Sequence, residues 1–533
     1  MKSNRLLRLS CGWGAWVLGA GTWVVGSAHA DRTTEIQQAL RQFDSNTPGY
    51  MRALPRKFNE QGAPVAAPLS RLSRRAIETG AYVTARDHSR GARCTQRGGA
   101  RVCLRDVLPG RAAFDLGSDD PRNLVDNGDA MVRTLPQMEA QNLQRADLGN
   151  GEKAPWSDDY WAIYKGVLGA RYSDPSLPSS EDWKVNFDYS MTGERTAAQI
   201  FATRNATAID DLSPSEKYDL LVGDSNFTLT KAGWQEGQEY YENYHKVETW
   251  MGICHGWAPA AYMVQRPKAV VETLAADGVT RLKFYPSDIK ALASLLWAKN
   301  DVDSNFVGGR CNDKRPKTDE NGRVTSDVCF DTNPGTWHLA VVNQIGVSKR
   351  SFVMDATFDY EVWNQPVYGY QYTYFNPETR EPAATLEQAK VPMANFTKDK
   401  FTKYRSAEAA SVVGVAMDVT YVVETAPSHE LRDDPSRDGH RRVRYLYDLE
   451  LNAQGEIIGG EWYNNAHPDF LWTPPTEVRI RTAGDRYASG SWTPSSAAVP
   501  TPWRTAAVRS SRLGTPLAKV VEALVVESAI SGR

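Results

Sequence analysis

Cys254 stands in Trp250-Met-Gly-Ile-Cys-His-Gly-Trp-Ala-Pro-Ala-Ala261, among aromatic and small residues and just ahead of an apolar run. A cysteine that attacks a carbonyl needs a lowered thiol pKa. The start of a helix offers this through unpaired N–H groups and positive potential. The nucleophile also needs a general base, and a third group to orient that base. His338, in "GTWHLAVVNQIG", and Asp355, in "SFVMDATFDY", follow in that order. Cysteine on a helix, then His and Asp on successive strands, makes a thiol acyl-transfer site.

Other residues compete for these roles. His255 adjoins the cysteine, but neighbours on a helix point about 100° apart. His245 precedes it in an aromatic stretch, and His467, in "NNAHPDFLW", reads as a structural histidine. Asp359 is the rival to Asp355. Trp234 and Trp250 are candidates for an oxyanion donor or for the walls of an apolar channel that favours an amine over water. Asp158 and Asp159 are weaker substrate-facing candidates.

The elements that must hold these groups are legible in part. Ser213, Pro214 and Glu216 form a helix start with capping-box spacing, and the helix runs to about Val222. Pro259 lies five residues after Cys254, where a helix interior loses an N–H, so the helix either begins near Pro259 or is kinked. Residues 285–297 carry an apolar face at helical spacing. Residues 336–345 and 351–357 alternate as two strands that bring His338 and Asp355 side by side. Residues 412–423, 443–451 and 457–462 read as further strands. Helices bearing the cysteine against an antiparallel sheet give an α+β fold like the papain-type core.

The text around these residues resembles a known family. The order Cys, His, Asp with the last two close together looks like the transglutaminase core. "LSPSEKYDLLVGDSNFTLT" (212–230), "VETWMGICHGWAPAAYM" (247–263), "CFDTNPGTWHLAVVNQIG" (329–346) and "EVWNQPVYGYQYTY" (361–374) resemble the blocks of the secreted transglutaminases known as elicitors in oomycetes, which have bacterial relatives. The last block is similar to the short peptide that plants recognise, with Tyr368 and Tyr370 where Arg and Phe are familiar. Ile253 and His255 flank the cysteine where animal transglutaminases carry Gln and Trp. The resemblance implies a protein-glutamine γ-glutamyltransferase that joins Gln side chains to Lys or primary amines through a Cys254 thioester. Its partners would then be protein substrates. On the same triad, a cysteine protease, a deamidase or a non-catalytic recognised surface are the alternatives. The chemistry requires no cofactor. Ca²⁺ is a candidate activator because some family members are described as calcium-dependent. Asp301-x-Asp303-x-Asn305 starts like a calcium loop, although Phe306 replaces its glycine and Asn312 its bidentate Glu.

Composition sets the frame. With 533 residues the chain holds more than one domain's worth of sequence, and a net charge of −2 gives no sign of a nucleic-acid binder. Lys2, Arg5 and Arg8, an apolar run over Cys11–Val25 and Ala28-His29-Ala30 read as a signal peptide over 1–30, for a secreted or periplasmic protein with no later membrane span. Cys94, Cys103, Cys254, Cys311 and Cys329 remain after export. Pairs 94–103 and 311–329 would close local loops and leave Cys254 as the odd thiol. The expected division is a 31–150 N-terminal region, offered as a propeptide, a 151–475 catalytic domain, and a 476–533 Pro/Ser/Thr-rich extension. That extension ends in a helix from Thr515. Residues 36–43 and 71–85 read as helices, and 94–103 as a hairpin.

Overall fold

The computed structural model describes residues 25–52, 119–149, 154–193, 195–300, 332–357 and 362–531, with shorter pieces such as 93–97, 100–104, 304–309 and 316–325. The fold is α+β. One antiparallel sheet runs in the order 64–65, 57–58, 439–451, 411–423, 364–375, 353–355, 470–473, 305–308. Its centre is the pair Ser411–Val423 and Gly439–Leu451, in register from Ser411 opposite Leu451 to Val423 opposite Gly439. Ser411–Val423 is rich in Val and Gly439–Leu451 in Tyr and Leu, which suit a pleated surface buried on both sides. Strand Ile457–Trp462 returns beside Gly439–Leu451, as its sequence predicts.

The sheet separates two cores. Strand side chains alternate between its faces. Val353, Phe470 and Trp472 join a helical core that holds Cys254, Trp257 and Ile289. Met354 and Leu471, between them in sequence, join a second core with Trp337, Tyr372 and Tyr447. The helical core is built on two helices, Cys254–Met263 and Pro286–Ala298. They approach so closely that a Cβ on Gly256 would lie 2.3 Å from the Ser294 carbonyl oxygen. Helix Pro214–Val222 starts at the Ser213 capping box and stops at Gly223, whose φ of 71° is left-handed, where glycine costs least.

Several expectations change. Residues 336–345 are not a strand. Asn333 caps and Pro334 opens a helix over Pro334–Val341, which continues as a wider π-helical turn over Val342–Val347. Every residue of Pro334–Val341 is buried, so apolar and polar positions do not report a face and the two-residue alternation misleads. Of the two alternatives left by Pro259, the helix starts at Cys254 itself and carries the proline within it.

Neither end of the described residues stands apart. Helix Val25–Ser45 sets Ile36, Leu40 and Phe43 against Phe375, Phe401, Leu446 and Tyr463. Leu124, Val125, Leu135 and Met138 belong to the Trp337 core, and Arg145–Asp147 pairs with Asn364–Phe375, so contacts cross the boundary expected at 149–152. The C-terminal segment places Trp492, Trp503, Leu517 and Val521 in the helical core. It ends in helices Thr501–Ser511 and Ala518–Ser531. The backbone places Cys94 opposite Cys103 in a hairpin, as expected, and Cys329 is disulfide-bonded. The pairings 94–103 and 311–329 lie outside the described side chains. So do the 71–85 helix, residues 1–24 of the expected signal, Asp301 and Asp303. Asn305 opens a strand, Asn305–Gly308.

Leu524 is completely buried in the last helix. Leu524→Ala is expected to cost about 2–5 kcal/mol. It should lower the thermal midpoint of the whole molecule in calorimetry; an unchanged midpoint would mean the extension is a separate tail.

Candidate active site

Cys254 is the first residue of its helix, and the turn before it is pinned on both sides. The Ile253 N–H donates to the Tyr160 carbonyl at 2.8 Å, and the Ile163 N–H donates to the Met251 carbonyl at 2.9 Å. Behind the helix, the Trp257 indole N–H donates to the Trp156 carbonyl at 3.2 Å. These bonds aim the Cys254 side chain at the sheet. Its thiol is free and buried.

The sulfur meets the start of strand Asn364–Phe375. Cys254 Sγ lies 3.7 Å from the Val362 carbonyl oxygen, to which it donates, and the Asn364 Nδ2 donates to it at 3.6 Å. The Trp472 indole N–H holds Asn364 Oδ1 at 2.9 Å, which turns the amide nitrogen toward sulfur. Asp355 lies directly opposite Asn364 on the neighbouring strand. Its Oδ1 accepts from the Trp363 N–H at 3.0 Å and from the Thr357 hydroxyl at 2.8 Å. Sulfur, amide and carboxylate thus occupy one face of the sheet.

The electrostatics hold the thiol protonated at rest. Burial pushes Cys254 up to about 11, the Asn364 N–H groups oppose that, and the Glu424 and Asp355 charges add to it. A helix N-terminus favours an anion by about 0.3–1 kcal/mol. Removing a buried anion from water costs more than that. Burial therefore wins over the helix dipole, and proton removal must accompany attack.

His338 lies elsewhere. Its Nδ1 is 2.8 Å from the Tyr447 hydroxyl and its ring sits 4.8 Å from that of Tyr372. Both tyrosines belong to the core on the opposite side of the sheet from Cys254. The side-by-side placement of His338 and Asp355 expected from two strands is thus not found. The helix over Pro334–Val341 carries the imidazole to the other face, and a side-chain rotation cannot cross a sheet. Burial alone pushes His338 down to about 3, so it is a neutral ring in that core.

The remaining expected residues sort by packing. Trp234 is completely buried and packs on Trp183 and Phe187. Trp250 lines the core four residues before the cysteine, on the thiol's side. Asp158 is buried and accepts from the Trp161 indole N–H at 2.8 Å. His255 is pushed down to about 4, chiefly by burial, and His467 stacks on Trp462 at 4.5 Å. His245 ends helix Thr228–Tyr244 with φ 53°. Asp359 lies outside the described residues.

Sequence reasoning did not single out Asn364, Glu424 or His440. His440 lies opposite Val422, which shares the core of Cys254, and its ring meets Tyr368 at 4.7 Å. The only signal was the position of Asn364 in the 361–374 block; nothing marks His440 before the sheet register is known. Among the described residues, no group of acidic, His and Cys side chains could hold a metal ion.

The family described as transglutaminase elicitor matches residues 130–488. The chain belongs to that family. The crystal structure of the GP42 transglutaminase from Phytophthora sojae is similar to this chain at 23% identity, covering 66% of this chain and 88% of that one, with a TM-score of 0.43. No curated protein matches the sequence. As a transglutaminase-like protein, the chain has protein substrates implied by its family. Among the described residues, no helix is long and apolar enough to cross a membrane.

In this transglutaminase elicitor, alkylation of Cys254 by a neutral haloacetamide is expected to be slow at pH 8 and to accelerate as pH rises toward 11, followed by mass spectrometry. Asn364→Ala removes an N–H that favours the thiolate, so it should move the profile to higher pH. A rate already level at pH 8 would contradict the protonated resting thiol.

Proposed function

We propose that the chain is a secreted protein-glutamine γ-glutamyltransferase acting through a Cys254 thioester. The observation that carries this reading is the free Cys254 thiol on a helix's first residue, with the Asn364 amide on its sulfur and Asp355 on the next strand, in a chain of the transglutaminase elicitor family. In the first half-reaction sulfur attacks the side-chain carboxamide carbon of a protein glutamine. The C–N bond breaks, and the thiol proton leaves with the nitrogen as ammonia. In the second, an amine attacks the thioester, the C–S bond breaks, an isopeptide forms and the thiol is regenerated. The Cys254 N–H, at the start of the helix, is placed to receive the oxyanion. The Asn364 N–H groups hold the departing thiolate.

The proton-transfer roles follow from which face each group occupies. Asp355 is the carboxylate beside the sulfur and takes the acid–base or orienting role. The histidine role suggested by sequence order for His338 is assigned instead to His440, on the thiol's side. A buried thiol in a core that Trp250 and Trp363 share disfavours water, which supports transfer over deamidation or proteolysis. The papain-like description of the core, a removable N-terminal segment and an accessory role for Ca²⁺ belong to the same reading.

The test is incorporation of a labelled primary amine into a glutamine-rich protein, with ammonia release followed in parallel. Cys254→Ala should abolish both. Asp355→Asn and His440→Ala should each lose about 100-fold or more in kcat/KM. His338→Phe should retain activity while changing thermal stability. Activity that vanishes in the His338 variant and persists in the His440 variant would reverse the assignment. Ammonia without incorporation would make the protein a deamidase.

A further inference from the structure

Two carboxylates act on the Cys254 sulfur, and they differ in exposure. Asp355 is completely buried, whereas Glu424, just past the end of strand Ser411–Val423, is half-buried and reaches solvent. Glu424 Oε1 accepts from Gln365 Nε2 at 2.6 Å, and Gln365 follows Asn364, the residue on the sulfur. Its charge is felt both by the thiol and by the Tyr160 hydroxyl. That hydroxyl donates to the Thr249 carbonyl at 2.6 Å, which fixes the ring. The Tyr160 and Trp363 rings lie 5.6 Å apart and both are half-buried, beside the turn that leads into Cys254. The Thr425 N–H donates to the Asp158 carbonyl at 3.0 Å, which brings the chain at Glu424 alongside the segment that carries Tyr160. A carboxylate near two aromatic rings suits a cation on an aliphatic stem: the rings take the methylenes and the charge, and the carboxylate takes the ammonium.

Resting on the acyl-transfer reading above, we propose that Glu424, Tyr160 and Trp363 form the subsite that receives the second substrate, a primary alkylamine bound as its ammonium form. The amine gives one proton to Glu424, and its neutral nitrogen attacks the thioester carbonyl carbon. The C–N bond forms and the C–S bond breaks, and the second amine proton returns to the sulfur as the thiol. Glu424 then loses its proton to solvent. The enzyme thereby selects lysine-like cationic amines over neutral nucleophiles of similar size.

The experiment uses the full chain with one glutamine-rich donor protein. It measures kcat/KM for 1,5-diaminopentane, a cation, and for methoxyamine, which is neutral at the assay pH. The reading is the ratio of the two in each variant, so any general loss of folded or acylated enzyme cancels. Glu424→Gln keeps an oxygen for Gln365 and removes the charge; its ratio should fall about tenfold, as for one lost partly screened ion pair. Glu424→Asp should keep most of the wild-type ratio, and added salt should lower the ratio in wild type but not in Glu424→Gln. A ratio unchanged in Glu424→Gln, whatever the absolute rates, overturns the proposal while leaving the acyl transfer intact. Absence of ammonia release from wild-type enzyme with every nucleophile overturns both.

Discussion

The site depends on how closely the cysteine helix seats between its neighbour helix and the sheet. Gly256 lets the Cys254–Met263 helix touch the Ser294 backbone, and on the other side the Cys254 sulfur reaches Val362 and Asn364. A larger residue at Gly256 would push the helix toward the sheet and displace the sulfur from both partners. The same seating removes the thiol from water, and burial is what raises its pKa. The geometry that positions the thiol therefore also keeps it protonated.

The sheet has a second consequence, because it is a partition. Asp355 and Met354 are neighbours in sequence, yet Met354 joins the core of Trp337 while Asp355 faces Asn364 beside the thiol. A histidine is useful to Cys254 only on the thiol's side of this wall. His338 is on the far side, held by the Tyr447 hydroxyl and the Tyr372 ring. His440 is on the near side through its pairing with Val422. The N-terminal helix packs on Phe375, Leu446 and Tyr463, and the C-terminal helices share the core of Cys254, so neither is an appendage.

What the sequence revealed follows the physics of each signal. Local signals are readable without knowing the fold: the Ser213 cap, the strand from Ile457 to Trp462, and the helix start at Pro286 all stand where the residues place them. The free thiol at Cys254 was legible from the cysteine count, and the short strand that ends at Asp355 from its apolar run. The helix at Pro334–Val341 was misread because it is buried on all sides, where alternation carries no information. Asn364 and His440 owe their positions to register between strands far apart in sequence, which no local pattern encodes.

The central claim is that Cys254 carries the acyl group. The most direct measurement incubates the protein with a glutamine donor peptide and no amine, quenches in acid, and determines the mass of the Cys254 peptide. The account predicts a gain equal to the donor less one ammonia, reversed by adding a primary amine and absent in Cys254→Ala. Ammonia released steadily with no mass gain on Cys254, or the donor found on another residue, would contradict it.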